Sequence, residues 1–290
     1  MRLRVLHRTT YRYDADVTDS YGLAHVVPRE LPWQRVLDHE LVVDPRPADV
    51  RVDVDHFGNT VTYFQVDVPH RELVVVGRGV VEVDPPGHPA EALEVPWEQA
   101  RPGERPDVAD AWSAVEHALP SPSIAQPTQA FEYAAQSLAP GRPVGAAAEE
   151  LMRRIYADFA YEPGATTVTS TIDDVLENRS GVCQDFAHLL IACLRSHGLA
   201  ARYVSGYLAT EPPPGRDRVL GADATHAWTA VWLPGGGWLA LDPTNDQPAG
   251  DRHVTVAWGR EYADVAPLRG VIFSEATDSQ LSVEVDVDPV

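Results

Sequence analysis

Three residue types that together perform thiol chemistry occur in the second half of the chain: Cys183, His226 and Asp242. In such a set a thiolate attacks a carbonyl carbon, an imidazole moves the proton, and a carboxylate orients the imidazole. Residues 180–188 open a long apolar segment with helical spacing, so we expect Cys183 in the first turn of a helix capped by Ser180. Unpaired backbone N–H groups and the helix dipole favour an anion there. The pattern therefore predicts a nucleophilic thiolate beside an oxyanion site.

His226 and Asp242 fall on two segments that alternate like strands, with a turn rich in proline and glycine between them. An odd hairpin loop, either residues 234–236 or residues 233–237, pairs Asp242 with Trp228. Asp242 is then a diagonal neighbour of His226 on the same face, within side-chain reach. An even loop would turn Asp242 to the opposite face. We therefore predict an odd loop and a His226–Asp242 contact.

The two cysteines of the chain, Cys183 and Cys193, are ten residues apart. On one helix this is about 15 Å, whereas a disulfide needs Cα atoms within roughly 7 Å. Cys193 faces apolar neighbours in the middle of the helix and is predicted to be a core residue. Two unpaired thiols and a start without the pattern of an export signal lead us to expect a cytoplasmic protein.

A metal site is a weaker alternative. Cys183, His188 and His226 offer ligand atoms, but zinc sites use four close ligands, or three and a water. The chain has no second cysteine pair and no His-Glu-x-x-His motif. Asp286 and Asp288 alternate with valine, which is typical of a solvated strand face and lacks the glycine turn of a calcium loop. We expect no metal and no cofactor.

The charge of the chain limits its partners. Its net charge of -20 at pH 7 opposes binding to nucleic acid, whose phosphates require a basic surface, and to anionic membranes. No run of about 20 apolar residues is present, so no membrane-spanning helix is expected. No feature of the sequence specifies an oligomeric state.

Composition divides the chain into three segments. Residues 1–83 show short alternating strands and predict an antiparallel β-sandwich domain. Residues 84–128 are rich in proline and predict a connector. Residues 129–290 contain helical patterns, a capping box that begins at Thr171, and a cysteine helix that ends at Gly198. This last segment is predicted to be the catalytic core, with the C-terminal strands.

The motifs around Cys183, His226 and Asp242 resemble those of the bacterial transglutaminase-like family. The resemblance implies an α+β fold, in which a papain-like core packs its nucleophile helix on an antiparallel sheet behind a β-rich N-terminal domain. It also implies that Cys183 is the nucleophile, His226 the base and acid, and Asp242 the orienting group. The segments that carry it are residues 181–188, 198–207, 226–228 and 241–245 in the core, and residues 57–59, 69–73 and 259–270 outside it.

The family resemblance further implies an acyl-enzyme reaction. The Cys183 thiolate attacks an amide, His226 protonates the leaving amine, and water or a second amine then takes the acyl group. We expect hydrolysis of a peptide-like amide ahead of crosslinking or ligation, and the alternative to an enzyme is an inactive binding module with the same fold. The residues expected to contact substrate are Gly181, Gln184, Trp228 and Tyr262.

Overall fold

The structure is a computed structural model, and it describes residues 1–166, 170–210 and 225–290. Helices and antiparallel strands combine in the expected α+β fold. The strands are β1 Arg2–Ala24, β2 Gln34–Asp44, β3 Asp49–Val54, β4 Thr60–Val66, β5 His70–Val83, β6 Ala160–Tyr161, β7 Ser180–Gly181, β8 Ala201–Leu208, β9 Thr225–Leu233, β10 Gly237–Asp242, β11 Gln247–Pro248, β12 His253–Gly259, β13 Leu268–Ser274 and β14 Ser279–Pro289. The α-helices are α1 Ala90–Leu93, α2 Ala111–Val115, α3 Thr128–Ala135, α4 Val144–Asp158, α5 Ile172–Asn178 and α6 Cys183–Ser196. Short 3₁₀ helices span Trp97–Ala100, Pro102–Glu104, Glu116–Ala118 and Tyr262–Asp264.

Within the described ranges, seven strands form one antiparallel sheet organised around the long strand β1. The first half of β1 pairs with β5 and β14, and its second half pairs with β4 and β13. The register of β1 against β5 shifts between Arg12 and Val17, and the sheet curls so that its halves enclose a core around Phe64 and Val75. The predicted sandwich is therefore a single curled sheet, because β1 runs through both layers without a break.

The C-terminal strands return to the sheet in which the chain begins. β13 pairs with residues 17–24 of β1, and β14 pairs with residues 3–13. The predicted division grouped these strands with the core segment 129–290, but their backbone hydrogen bonds are with β1. Both edges of the long strand are thus occupied along most of its length.

The proline-rich segment 84–128 crosses the core in short helical turns. Trp97 is buried, and its indole N–H donates to the carbonyl of Ala139 at 3.0 Å, whereas Trp112 is 80% exposed. Proline at this density excludes long helices and inner strands, which explains the short elements. Across the described residues, no helix is long and apolar enough to cross a membrane.

The core sheet positions the cysteine helix. Its order among the described strands is β11-β10-β9-β8-β12, and α6 lies on one face, where the Thr229 hydroxyl donates to the carbonyl of Ala187 at 3.0 Å. Nearly every side chain of α6 is buried, because α3, α4 and α5 cover the side away from the sheet. Helix α5 begins at the predicted capping box, formed by Thr171 and Asp174.

Helix α6 begins at Cys183 with Val182 as its N-cap, so the prediction of Ser180 as N-cap is wrong. The reason is tertiary: Ser180 belongs to β7, whose parallel pairing with β6 holds the backbone extended. The Asp185 carboxylate, at the third helical position, accepts the N-cap N–H of Val182 at 2.8 Å, which is the one half of a capping box that does not need a polar N-cap side chain. The other end matches the prediction, since Gly198 has a left-handed φ of 77°.

Candidate active site

His226 and Asp242 form a buried hydrogen-bonded pair on the β9–β10 hairpin. Leu241 pairs with Thr229, so the loop consists of residues 234–236 and is odd, as predicted. This register points both side chains to one face, and His226 Nε2 lies 2.7 Å from Asp242 Oδ2. The Asp242 side chain is fully buried, while that of His226 retains 10% exposure. The imidazole therefore reaches the solvent-accessible surface, while the carboxylate is shielded from water.

The Asp242 carboxylate accepts hydrogen bonds at both oxygens. Oδ1 accepts the backbone N–H groups of Thr244 and Asn245 at 3.0 and 3.3 Å. Oδ2 accepts the Asn245 side-chain amide at 2.8 Å and His253 Nε2 at 3.1 Å, besides His226. Burial alone would raise the pKa of this carboxyl, but the hydrogen bonds from His226 and His253 outweigh burial and hold the pKa well below its usual range. Asp242 is thus an oriented anion.

The His226 ring is hydrogen-bonded to Asp242 and lies close enough to Cys183 for the sulfur to influence its charge. Cys183 is half-buried at the first residue of α6. Burial opposes a charge on the ring, yet the hydrogen bonds with Asp242 and Cys183 raise the pKa of His226 to about 10. Because Nε2 faces the carboxylate, Nδ1 is the ring nitrogen left for the thiol. A ring that is protonated near neutral pH, between a carboxylate and a sulfur atom, is suited to stabilise a thiolate.

His253 is a site residue that the sequence analysis did not identify. Its Nδ1 accepts the backbone N–H of Gly250 at 3.2 Å, which leaves Nε2–H to donate to Asp242. This pairing defines the tautomer, and the ring packs edge-on against Trp228 with centroids 5.2 Å apart. His253 follows a turn in the sequence and belongs to no motif that we recognised, so only the fold brings it to the carboxylate.

Gly181 and Gln184 flank Cys183 at the start of α6. Gly181 is buried, and a Cβ at this position would lie 2.9 Å from Asp185 Cβ, so the packing itself requires glycine. Asp185 also accepts the Thr166 hydroxyl at 2.6 Å, which ties the preceding loop to the helix start. Gln184 is half-buried. Its contact with substrate stays a prediction, as does that of Gly181.

Tyr262 and Trp228 occupy different environments. The Tyr262 backbone N–H donates to His188 Nε2 at 3.1 Å, and burial lowers the pKa of His188 to about 4, so this histidine is a neutral acceptor. The half-buried Tyr262 side chain packs on the core cluster that also contacts Cys183. Trp228 is only 1% exposed, with its ring centroid 5.9 Å from that of His226. A side chain buried to this extent can pack against the His226 ring, and it exposes little surface for the substrate contact that we expected.

Among the described residues, one group of side chains could hold a metal ion: His226, Asp242 and His253, with ligand atoms within 4.8 Å of one another. Two of the separations, 2.7 and 3.1 Å, are hydrogen-bond lengths. Two ligands on one zinc ion would stand about 3.3 Å apart, given metal–ligand bonds of about 2.0–2.1 Å. The spacing thus fits a hydrogen-bonded network. Of the alternative set considered above, His188 is already engaged by the Tyr262 backbone.

Two family models match the chain. Residues 3–82 match the bacterial transglutaminase-like N-terminal region. Residues 132–243 match the transglutaminase-like superfamily, and this range contains Cys183, His226 and Asp242. The two matches correspond to the curled sheet and to the core that holds the candidate site.

Two relatives and one solved structure are similar to the chain. An uncharacterized protein of Mycobacterium tuberculosis is 48% identical, over 99% of this chain and 93% of its own length. A protein-glutamine gamma-glutamyltransferase of Pseudomonas aeruginosa is 35% identical, over 44% of this chain and 20% of its own. The structure of a candidate cysteine protease from Cytophaga hutchinsonii has a TM-score of 0.74 at 21% identity, covering 100% of this chain and 92% of that one, and shares the fold. The chain belongs to the transglutaminase-like superfamily and carries its bacterial N-terminal region.

Proposed function

We propose that this protein is a cysteine-dependent enzyme that cleaves or transfers peptide-like amides through a thioester on Cys183. The observation that supports the proposal most is the His226 ring, which is hydrogen-bonded to the buried Asp242 carboxylate and whose pKa is raised by both Asp242 and Cys183. A ring held in this way can both stabilise a thiolate and donate a proton. A binding module would need neither property.

The chemistry follows from the positions of these groups. The Cys183 sulfur attacks the amide carbon and forms a C–S bond, while the oxyanion accepts backbone N–H groups in the first turn of α6. The protonated His226 gives its proton to the leaving nitrogen, and the C–N bond breaks to leave a thioester. Neutral His226 then removes a proton from water as the water oxygen attacks the thioester carbon, and the C–S bond breaks to release the acid and restore the Cys183 thiolate beside protonated His226. An amine in place of water yields a transferred amide.

Hydrolysis is the reaction that we favour, with transfer to an amine as the second candidate. The relative from Pseudomonas aeruginosa is named a transferase and the one from Cytophaga hutchinsonii a candidate protease, so similarity supports both outcomes. The expected substrate is a peptide or protein amide, including the glutamine side chain. We also propose a cytoplasmic location, on the basis of the two free thiols, Cys183 and Cys193.

The test is incubation with glutamine-containing peptides, with and without a primary amine, followed by mass spectrometry of the products. Acid products in both conditions indicate hydrolysis, and an amine adduct indicates transfer. Cys183→Ala should abolish turnover and keep the melting temperature nearly unchanged, whereas Cys193→Ala, at the buried core thiol, should keep turnover. Turnover that persists in Cys183→Ala would show that another residue is the nucleophile. Unaltered peptides together with a Cys183 that alkylates as slowly as Cys193 would support the binding module.

A further inference from the structure

Arg202 is a buried cation on the face of the core sheet opposite α6. Its side chain lies between two indole rings, with the guanidinium carbon 4.4 Å from the centroid of Trp238 and 3.6 Å from that of Trp258, and the residue is 7% exposed. Nε is buried without a hydrogen-bond partner, and in the described part of the chain no carboxylate pairs with this guanidinium. Aromatic faces attract a cation, but they accept none of its N–H groups in the plane of the guanidinium.

A second arginine on the same indole shows what Arg202 lacks. Arg29 also stacks on Trp258, at 3.6 Å from the ring centroid. It donates hydrogen bonds to the Asn59 side-chain oxygen and to the carbonyl of Phe57, and it interacts electrostatically with Asp55. Arg29 therefore has acceptors and a nearby anion, and Arg202 has neither. The uncompensated charge is the exception, since buried ions in proteins are paired.

Arg202 lines a small cavity between the core sheet and the N-terminal part of the chain. The cavity leaves about 20 Å³ for the centre of a water-sized sphere, and none of its lining residues is acidic. The tryptophans of the lining are Trp33, Trp228, Trp238 and Trp258. Such a volume admits a water molecule or a monatomic ion, and it is too small for a substrate carboxylate with its attached chain.

We propose that this cavity binds one small monovalent anion, with chloride as the occupant, held by the Arg202 guanidinium. The ion would accept the Nε–H that no atom of the described residues accepts, and it would neutralise the buried charge. The net charge of -20 repels anions in general, so binding here depends on the local geometry. An ion in this position joins β8 to the N-terminal residues Trp33 and Pro86, which share the lining.

The experiment compares thermal unfolding of the full chain in sodium chloride, sodium bromide, sodium gluconate and sodium sulfate at matched ionic strength. Chloride and bromide should raise Tm in a saturable way, by about 5 °C at about 100 times Kd, relative to gluconate or sulfate. Arg202→Met should remove the difference between the salts. Arg29→Met is the matched control, because it removes the other arginine on Trp258 and should retain the halide effect.

Crystals grown in sodium bromide give a reading that does not depend on the folding of any variant. An anomalous peak in the cavity beside Arg202 is the expected result. Equal Tm values in chloride and gluconate, or a cavity that contains only a water molecule in bromide, would overturn the proposal. A halide effect that survives Arg202→Met and disappears in Arg29→Met would place the ion elsewhere and would equally overturn it.

Discussion

Replacing Asp242 with asparagine removes the charge that orients the candidate site and changes the size of the side chain little. In the unaltered protein, His226 and His253 share Oδ2 of Asp242. In the variant, the amide oxygen can keep the backbone donors, but the amide nitrogen faces the N–H groups of these two histidines. His226 must present an unprotonated Nε2 and carry its proton on Nδ1, toward Cys183. A ring in this tautomer no longer forms an ion pair with a thiolate, so the sulfur should become an ordinary thiol.

The size of this effect follows from the raised pKa of His226, from 6.5 to about 10. At about 1.4 kcal/mol per pKa unit, its partners stabilise the charged ring by on the order of 5 kcal/mol net of the cost of burial. Because the thiolate is the reacting form of cysteine and loses its cationic partner in this variant, alkylation of Cys183 should slow by on the order of 10-fold. For a substrate identified as above, kcat/KM should fall by roughly 10⁴-fold, as expected when the carboxylate of a triad becomes an amide.

The assay is the rate of iodoacetamide modification at pH 7, followed by peptide mass spectrometry. Cys193 is the internal control, because burial raises its pKa to about 12 and it should stay unmodified while the protein is folded. Equal rates at Cys183 in Asp242→Asn and in the unaltered protein would refute the ion-pair reasoning. Modification of Cys193 at a similar rate would show that unfolding was measured instead.

Three further predictions concern stability, measured by urea unfolding. His253→Ala should lower the free energy of unfolding by about 1.5–3 kcal/mol, since the buried Asp242 carboxylate loses a donor; His253→Gln should restore part of it, and equal losses would exclude the bond as the cause. Burial lowers the pKa of His188 from 6.5 to about 4, so the folded protein binds fewer protons and stability should fall as the pH drops from about 6.5 to 4. His188→Gln should flatten this slope, and an unchanged slope would contradict the assignment. Ile155→Ala should cost about 2–5 kcal/mol and Tyr156→Ala, at a 51% exposed neighbour, under about 1 kcal/mol; similar costs would contradict the packing of α4.

Local patterns were sufficient for the elements that carry the candidate site. Side chains alternate strictly along strands, so an odd loop at residues 234–236 was enough to place Asp242 on the face of His226. The capping box at Thr171 and the glycine end at Gly198 were also predicted, because each depends only on neighbouring residues. The family resemblance, carried by motifs around these elements, is confirmed by the two matching models.

Features that depend on distant segments were predicted wrongly or not at all. The N-cap lies at Val182 instead of Ser180 because β7 pairs with β6, and the sequence did not show that the N-terminal antiparallel strands are organised around the long strand β1. The C-terminal strands join β1 although they are remote in sequence. His253 reaches Asp242 only through the fold.

The sequence by itself determined the superfamily, the helix whose first turn contains Cys183, and the strand register that brings His226 to Asp242. Only the tertiary structure decided that His253 shares the carboxylate, that Trp228 is buried beneath the site, and that Arg202 lies between two indoles. The physical reason is the distance along the sequence over which each interaction acts. Helix caps and strand alternation depend on neighbouring residues, whereas the burial and pairing of a charge depend on every segment that packs around it.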